Sequence, residues 1–211
     1  MVRVRKTPQE RREEILEAAR TCFLENGFVA TTMEDVIART SLSKGGVYRY
    51  YDSTVDMLHD LMRAGTQLRL DIIHEQMKPF EAADADEIFE MIVEQNYRKM
   101  VDENKYKKLY AMFLMEAERN ETLRRLKRAL YEEFYDVAKK IPGLPVPAAE
   151  WTTYIDFINM VIVGVELMGM RESMTADPDF LKDTIRSFYI KNGLRDELVK
   201  QFRERKENGK E

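Results

Sequence analysis

MEDVIARTSLSKGGVYRYY, residues 33–51, is the stretch on which the reading of this chain turns. It divides into two short helices joined by a tight turn: Met33 to about Thr40, then Ser41 and Leu42, then a helix that Ser43 can cap and that runs to about Tyr50. The second helix carries cations and phenols where an apolar stripe would be expected. No acidic residue lies between Asp35 and Asp52, yet Arg39, Lys44 and Arg49 fall inside, in a chain with 38 Asp and Glu among 211 residues. Such a local loss of negative charge marks a surface suited to phosphate. Gly45 and Gly46 each cost about 1 kcal/mol in a helix relative to alanine. Without side chains they let the start of that helix press into a major groove, where Lys44 and Arg49 reach base edges or phosphates.

Upstream, Arg11 to Asn26 reads as an amphipathic helix with Ile15, Leu16, Ala18, Ala19, Cys22 and Phe23 on one face, stopped by Gly27. Thr31 and Thr32 both offer caps for the helix at Met33; with Thr31 as the cap, Glu34 three residues on completes a capping box. Free N–H groups there can hold a further phosphate. Downstream, Asp52-Ser53-Thr54 starts a long helix to His74 or Met77 with Met57, Leu58, Leu61, Met62 and Leu68 as its apolar members. Further helices are predicted at Asp86–Glu103, Tyr106–Arg119, Thr122–Lys140, Ala149–Met170 and Pro178–Lys191, with a charged helix from Arg195. Pro142-Gly143-Leu144-Pro145-Val146-Pro147 is a loop, since its prolines cannot continue a helix. The predicted fold is all-α: an N-terminal three-helix helix-turn-helix module over 1–54, behind a basic arm, and a larger helical domain over 55–211. The helix after Ser53 is shared by both and couples them mechanically.

Composition narrows the function. A formal charge of −4 argues against coating nucleic acid or membrane along the full length, and residues 1–54 carry +1 against −5 for the rest. One cysteine, Cys22, forms no internal disulfide, and His59 and His74 make a poor inventory for a transition metal. Both suit a reducing cytoplasm. No apolar run follows the basic arm as a signal peptide would require, and Ile158 to Met170 is too short to span a bilayer. A glycine-rich phosphate loop, paired His/Cys ligands and a Gly-x-Ser-x-Gly elbow are all absent, so no cofactor, metal or catalysis is expected.

Together, Ile15-Leu16-Glu17-Ala18-Ala19 with Phe23, Gly27-Phe28, Thr31-Thr32-Met33-Glu34-Asp35-Val36-Ile37-Ala38 and Ser43-Lys44-Gly45-Gly46-Val47-Tyr48-Arg49-Tyr50-Tyr51 resemble the DNA-binding region of the TetR family of bacterial transcriptional regulators. The resemblance covers about residues 10–60. It departs from the family at Ser41, where the turn usually has glycine, at Tyr51, usually phenylalanine, and at Thr54, commonly a phosphate-touching lysine. The candidate DNA contacts are Thr31, Thr32, Ser43, Lys44, Gly45, Gly46, Tyr48, Arg49 and Tyr50. Tyr48 suits combined packing and phosphate contact better than Tyr50, and Tyr51 suits the core. Arg3, Arg5 and Lys6 either reach an adjacent minor groove or make no fixed contact.

The resemblance implies a repressor that binds a palindromic operator on double-stranded DNA as a homodimer and is released by a small molecule held in the larger domain. Trp151 to Met170 fits a dimer. Trp151, Tyr154, Ile155, Ile158, Val161, Ile162, Val165 and Met168 form one stripe, and Phe157, Val163 and Leu167 widen it, so the helix needs cover on more than one side. Gly164 and Gly169 would permit close approach of a partner. Phe180, Leu181, Thr184, Ile185 and Phe188 supply a complementary stripe on the next helix, and the resemblance implies that the two helices pair across a four-helix interface. The polar seam Asp156, Asn159, Glu166 faces ligand, partner or solvent. Thirteen Met, ten Phe and ten Tyr supply material for a largely apolar pocket. Its candidate lining is Tyr97, Met100, Tyr110, Phe113, Leu114, Phe134, Phe157 and Met160, with Glu116 to fix a cationic or hydroxylated group or to lie solvated beside Arg119. Asp84, Asp86, Glu87 and Glu90 read as a helix start. Two other classes compete: an architectural DNA-binding protein without a ligand, and a helical small-molecule carrier with a vestigial DNA module.

Overall fold

The computed structural model describes residues 6–77, 84–138, 151–193, 195–196 and 200. The regular elements among those residues are all helices, without strands: α1 (Pro8–Asn26), α2 (Met33–Ala38), α3 (Lys44–Tyr48), α4 (Thr54–Met77), α5 (Ala85–Val101), α6 (Lys107–Ala117), α7 (Glu121–Ala138), α8 (Trp151–Leu167), α9 (Arg171–Ala176) and α10 (Pro178–Lys191). The loop expected at 142–147, Arg3 and Arg5 of the arm, the side chains of His74 and Trp151, and most of the helix expected after Arg195 lie outside the described residues.

Local chemistry sets the helix ends. Thr7 caps α1, accepting from the Glu10 N–H, while the Glu10 carboxylate accepts from the Thr7 N–H at 2.6 Å, so α1 begins one turn before the expected Arg11. Gly27 ends it at φ 81°, a left-handed conformation that favours glycine. Asp84 caps α5 through the N–H groups of Asp86 and Glu87, both at 2.9 Å, which places the acidic cluster at a helix start as predicted. The sequence pattern continues this helix to Met170; α8 instead stops at Leu167, Gly169 turns the chain at φ 69°, and a short further helix, α9, follows.

Two apolar clusters organise the molecule. The first joins α1 to α4 through Ile15, Ala19, Cys22, Phe23, Val36, Val47, Tyr51, Met57, Leu58 and Leu61, and takes in Leu109, Phe113 and Ala117 from α6 and Leu123 and Leu126 from α7. The core of the N-terminal helices therefore extends past the boundary expected at residue 54. Phe113 meets Phe28 edge-on at 6.4 Å, a contact that ties the start of the chain to α6. The second cluster gathers Ile88, Ile92, Val93 and Met100 of α5, Ile158, Val161, Ile162 and Val165 of α8, and Leu181, Ile185 and Tyr189 of α10. Tyr154 and Phe188 stack at 4.4 Å between α8 and α10. Gly164 faces this interior: a Cβ there would lie 3.0 Å from the Met170 sulfur, so its small size serves the α8–α9 turn of its own chain.

Candidate nucleic-acid interface and the interior of the body

The turn between α2 and α3 is held from several sides. Thr32, not Thr31, caps α2: its hydroxyl accepts from the Asp35 N–H, and Asp35 accepts from the Thr32 N–H at 2.8 Å. The Thr32 hydroxyl, which donates to the Asp35 carboxylate at 2.7 Å, and then the Thr32 N–H hold the Asp35 carboxyl below its usual range. Thr31 is buried and donates to the Gly27 carbonyl at 2.7 Å, which takes its hydroxyl off the candidate surface. Glu14 of α1 accepts from the Ser41 N–H at 2.6 Å, and that bond above all holds the Glu14 carboxyl down at about 2. Every residue with positive φ among those described is a glycine, so Ser41 fits where the family favours glycine without entering the left-handed region.

α3 then projects a small face. Ser43 accepts from the Gly46 N–H at 3.2 Å, and Val47 is the side chain that anchors the helix in the core. Lys44 lies fully out, its ammonium 2.9 Å from Glu34 and 5.7 Å from the centre of the Tyr48 ring. The Glu34 carboxylate raises the Lys44 pKa. Tyr48 is 38% exposed, Arg49 is exposed and has no ion-pair partner among the described residues, and Tyr50 is half-buried against the core. A Cβ on Gly45 would meet nothing within 4 Å, so the side of α3 away from the core is open there. On Gly46 it would crowd Leu42 and Ser43 at 3.3 Å. Thr32, Ser43, Lys44, Gly45, Tyr48 and Arg49 are all exposed, and Lys44 links the Tyr48 ring to Glu34 of α2.

Tyr51 takes its place in the core, and its hydroxyl has work that a phenylalanine could not do. It donates to Asp60 of α4 at 2.9 Å and accepts from the Arg12 guanidinium of α1 at 3.0 Å, while Arg12 reaches Asp60 at 3.2 Å. Burial pushes the phenol up to about 12. This triad fixes the start of α4 against α1.

The candidate pocket residues divide. Tyr97, Met100, Tyr110 and Phe157 belong to or pack on the α5–α8–α10 cluster. Tyr110 donates to Asn159 at 3.1 Å, and Asn159 donates to Tyr131 of α7 at 3.0 Å, a polar chain across α6, α8 and α7. Leu114 is buried, Phe134 is half-buried with its ring 6.1 Å from Tyr135, and the half-buried Glu116 side chain has no ion pair among the described residues. Phe113 packs in the N-terminal cluster instead, and Met160 is 64% exposed on the outer side of α8, so neither joins the interior group. Within the polar seam, Asp156 faces solvent while Asn159 and Glu166 turn inward.

Sequence reasoning missed a set of cations at the C-terminal end of α5. Lys107, 5% exposed, donates to the carbonyls of Met100 and Asp102 at 2.7 Å each and lies 3.9 Å from Glu166. Arg171 binds the Val101 carbonyl, Glu166 at 2.6 Å and Glu103 at 3.3 Å. Arg69 of α4 donates to the Gln95 carbonyl, and half-buried Lys99 lies near it. Burial depresses Lys107 and Lys99 to about 8 and Arg69 to about 10.

Comparison with known proteins supplies the remaining observation. Residues 15–61 match the family model described as bacterial regulatory proteins, tetR family. An uncharacterized HTH-type transcriptional regulator of Bacillus subtilis, YfiR, is 46% identical over 56 residues, 26% of this chain and 27% of that protein. The HTH-type transcriptional repressor KstR2 of Rhodococcus jostii is 36% identical over 53 residues, 25% of this chain and 26% of its own length. The chain thus spans about a quarter of the length of the curated relatives it matches. Salmonella enterica GusR has a similar fold over 94% of this chain and 98% of its own, with TM-score 0.60 at 18% identity.

Proposed function

We propose that this chain, a TetR-family transcriptional regulator by its residues 15–61, is a cytoplasmic homodimeric repressor that binds a palindromic operator and is released by a small molecule held in its helical body. The observation that carries the reading is the exposed face of α3. Lys44, Tyr48 and Arg49 stand beside the open Gly45 on a helix whose two ends are fixed by the Ser43 cap and the Val47 anchor. Phosphate exchange for Glu34 is easy, because a pair this exposed contributes little to stability. Thr32 offers the N-terminus of α2 to a second phosphate. The repressor role is drawn from the likeness to KstR2, which is described as a repressor.

The dimer reading rests on the outer sides of α8 and α10. Met160, Leu167 and Met168, with Phe180 and Ile190, are large apolar side chains exposed at 38% or more, more than a monomer's surface requires on two neighbouring helices. Paired with the same face of a second copy, they would bury that area and hold two α3 helices about 34–36 Å apart, the spacing of successive major grooves. The division at residue 54 is functional in this scheme: α4 starts inside the DNA module and crosses to the body, where Leu61 and Met62 share a core with α6 and α7. A ligand releases DNA only by favouring a body conformation in which the modules are wrongly spaced. Selection from random duplexes tests the reading: it predicts an inverted repeat bound by a dimer, with Phe180→Asp abolishing both dimer and repeat. A single unrepeated site bound by a monomer would refute it.

A further inference from the structure

The cations at the end of α5 are not equally served. Lys107 and Arg171 have carbonyls and Glu166 within bonding distance, whereas one turn earlier the partners run out. Gln95 and Lys99 are four residues apart on α5 and so lie on one face of it. Arg69 of α4 is fixed beside them by its bond to the Gln95 backbone carbonyl. Its buried Nε has no hydrogen-bond partner, and neither has the side-chain oxygen of Gln95, a residue only 7% exposed. The Lys99 ammonium meets no carboxylate or carbonyl among the described residues; the charged group acting on it is Arg69, which repels it. Arg69 is attracted by the Asp102 carboxylate and repelled by Arg98, but no carboxylate acts on Lys99, and the two like charges with an unsatisfied guanidinium N–H are costly inside a helical body. The guanidinium N–H and the ammonium are donors that an anion would complete, since a carboxylate or phosphate accepts from both together, whereas the Gln95 oxygen is an acceptor that water serves.

We propose that Arg69 of α4 and Lys99 of α5 form a binding site for an anionic group of the effector, a carboxylate or a phosphate. The proposal rests on the reading of the chain as an effector-released regulator and gives that effector a charge that its apolar surroundings do not suggest. It also supplies the coupling. α4 leaves the DNA module, and Gly65 on it sits so close to the residue before α6 that a Cβ would lie 3.1 Å from the Tyr106 side chain. An anion gripped by Arg69 and Lys99 pulls α4 toward α5, and through α4 it acts on the DNA module.

The test is thermal unfolding of the full chain in sodium phosphate, and separately in sodium acetate, against sodium chloride at matched ionic strength. The wild type melts about 3–5 °C higher in at least one of the two than in chloride. Lys99→Arg keeps most of that shift, Lys99→Gln loses it, and Lys108→Gln, at an exposed position on α6, leaves it intact. A response to phosphate alone identifies a phosphate-bearing effector, and a response to acetate alone a carboxylate. The proposal is overturned if neither anion exceeds chloride, or if Lys99→Gln responds as the wild type does. A protein that shows the Lys99-dependent shift but ignores operator DNA keeps the site and loses the regulatory reading.

Discussion

Replacing Lys99 with methionine should make the protein more stable at neutral pH. Burial beside Arg69 lowers the Lys99 pKa from the ordinary value of 10.5 to about 8. In the folded chain the ammonium therefore releases its proton more readily than in the unfolded chain. Below pH 8 both states are protonated and the native state bears the whole cost of holding the charge. Between 8 and 10.5 the unfolded chain binds more protons, so stability rises with pH, and above 10.5 the cost is gone. The shift corresponds to about 3 kcal/mol at 1.36 kcal/mol per pKa unit, and partial solvent access reduces this to about 2 kcal/mol. Methionine keeps the stem volume and removes the charge, so packing should offset little of the gain. For a chain of this size the melting temperature of Lys99→Met should lie about 4–8 °C above wild type at pH 7 in chloride buffer. Urea unfolding at pH 7 and pH 10.5 checks both size and pH dependence. A variant less stable than wild type at pH 7, or one whose advantage is the same at pH 10.5, would refute the reasoning.

Thr32→Ala removes the α2 cap and should cost about 1 kcal/mol in denaturant unfolding, whereas Thr32→Ser should cost little. Gly45→Ala adds a Cβ that meets nothing in the free protein, so it should stabilise the chain by about 0.5–1 kcal/mol while weakening operator binding in a gel shift. Gly46→Ala, crowded at 3.3 Å by Leu42 and Ser43, should give no such gain in unfolding measurements.

The helix-turn-helix was legible because its signals are local: Gly27, Ser43 and the gap in acidic residues all lie within a few residues of what they determine. Even so, Thr31-Thr32-Met33-Glu34-Asp35 holds two overlapping cap patterns, Thr31 with Glu34 and Thr32 with Asp35, and the sequence does not say which is used. The structure uses the second, since the chain leaving Gly27 folds Thr31 back onto the Gly27 carbonyl. In α6 the continuous apolar run hid a division of labour. Leu109, Phe113 and Ala117 lie on a face that serves the N-terminal cluster, while Ala111 serves the other, so Phe113 could not be assigned by composition. The cations at the end of α5 were invisible for a different reason. In a local window Lys99 and Lys107 look like solvated charges, and Arg69 and Glu166, the groups that define their surroundings, come from distant parts of the chain. Positions of that kind, where a local rule is broken inside a packed body, are where function is to be sought.

If the α3 face reads DNA, binding must depend on sequence, on salt and on its cations. Fluorescence anisotropy with a selected operator duplex and a scrambled duplex of equal length, titrated across a range of salt concentrations, tests it most directly. Binding to the operator should be tighter, with an affinity that falls linearly on a log–log plot against salt. Lys44→Ala should bind more weakly, with a salt slope smaller by about one. Equal affinity for both duplexes, indifference to salt, and a Lys44→Ala protein that binds as the wild type does would contradict it.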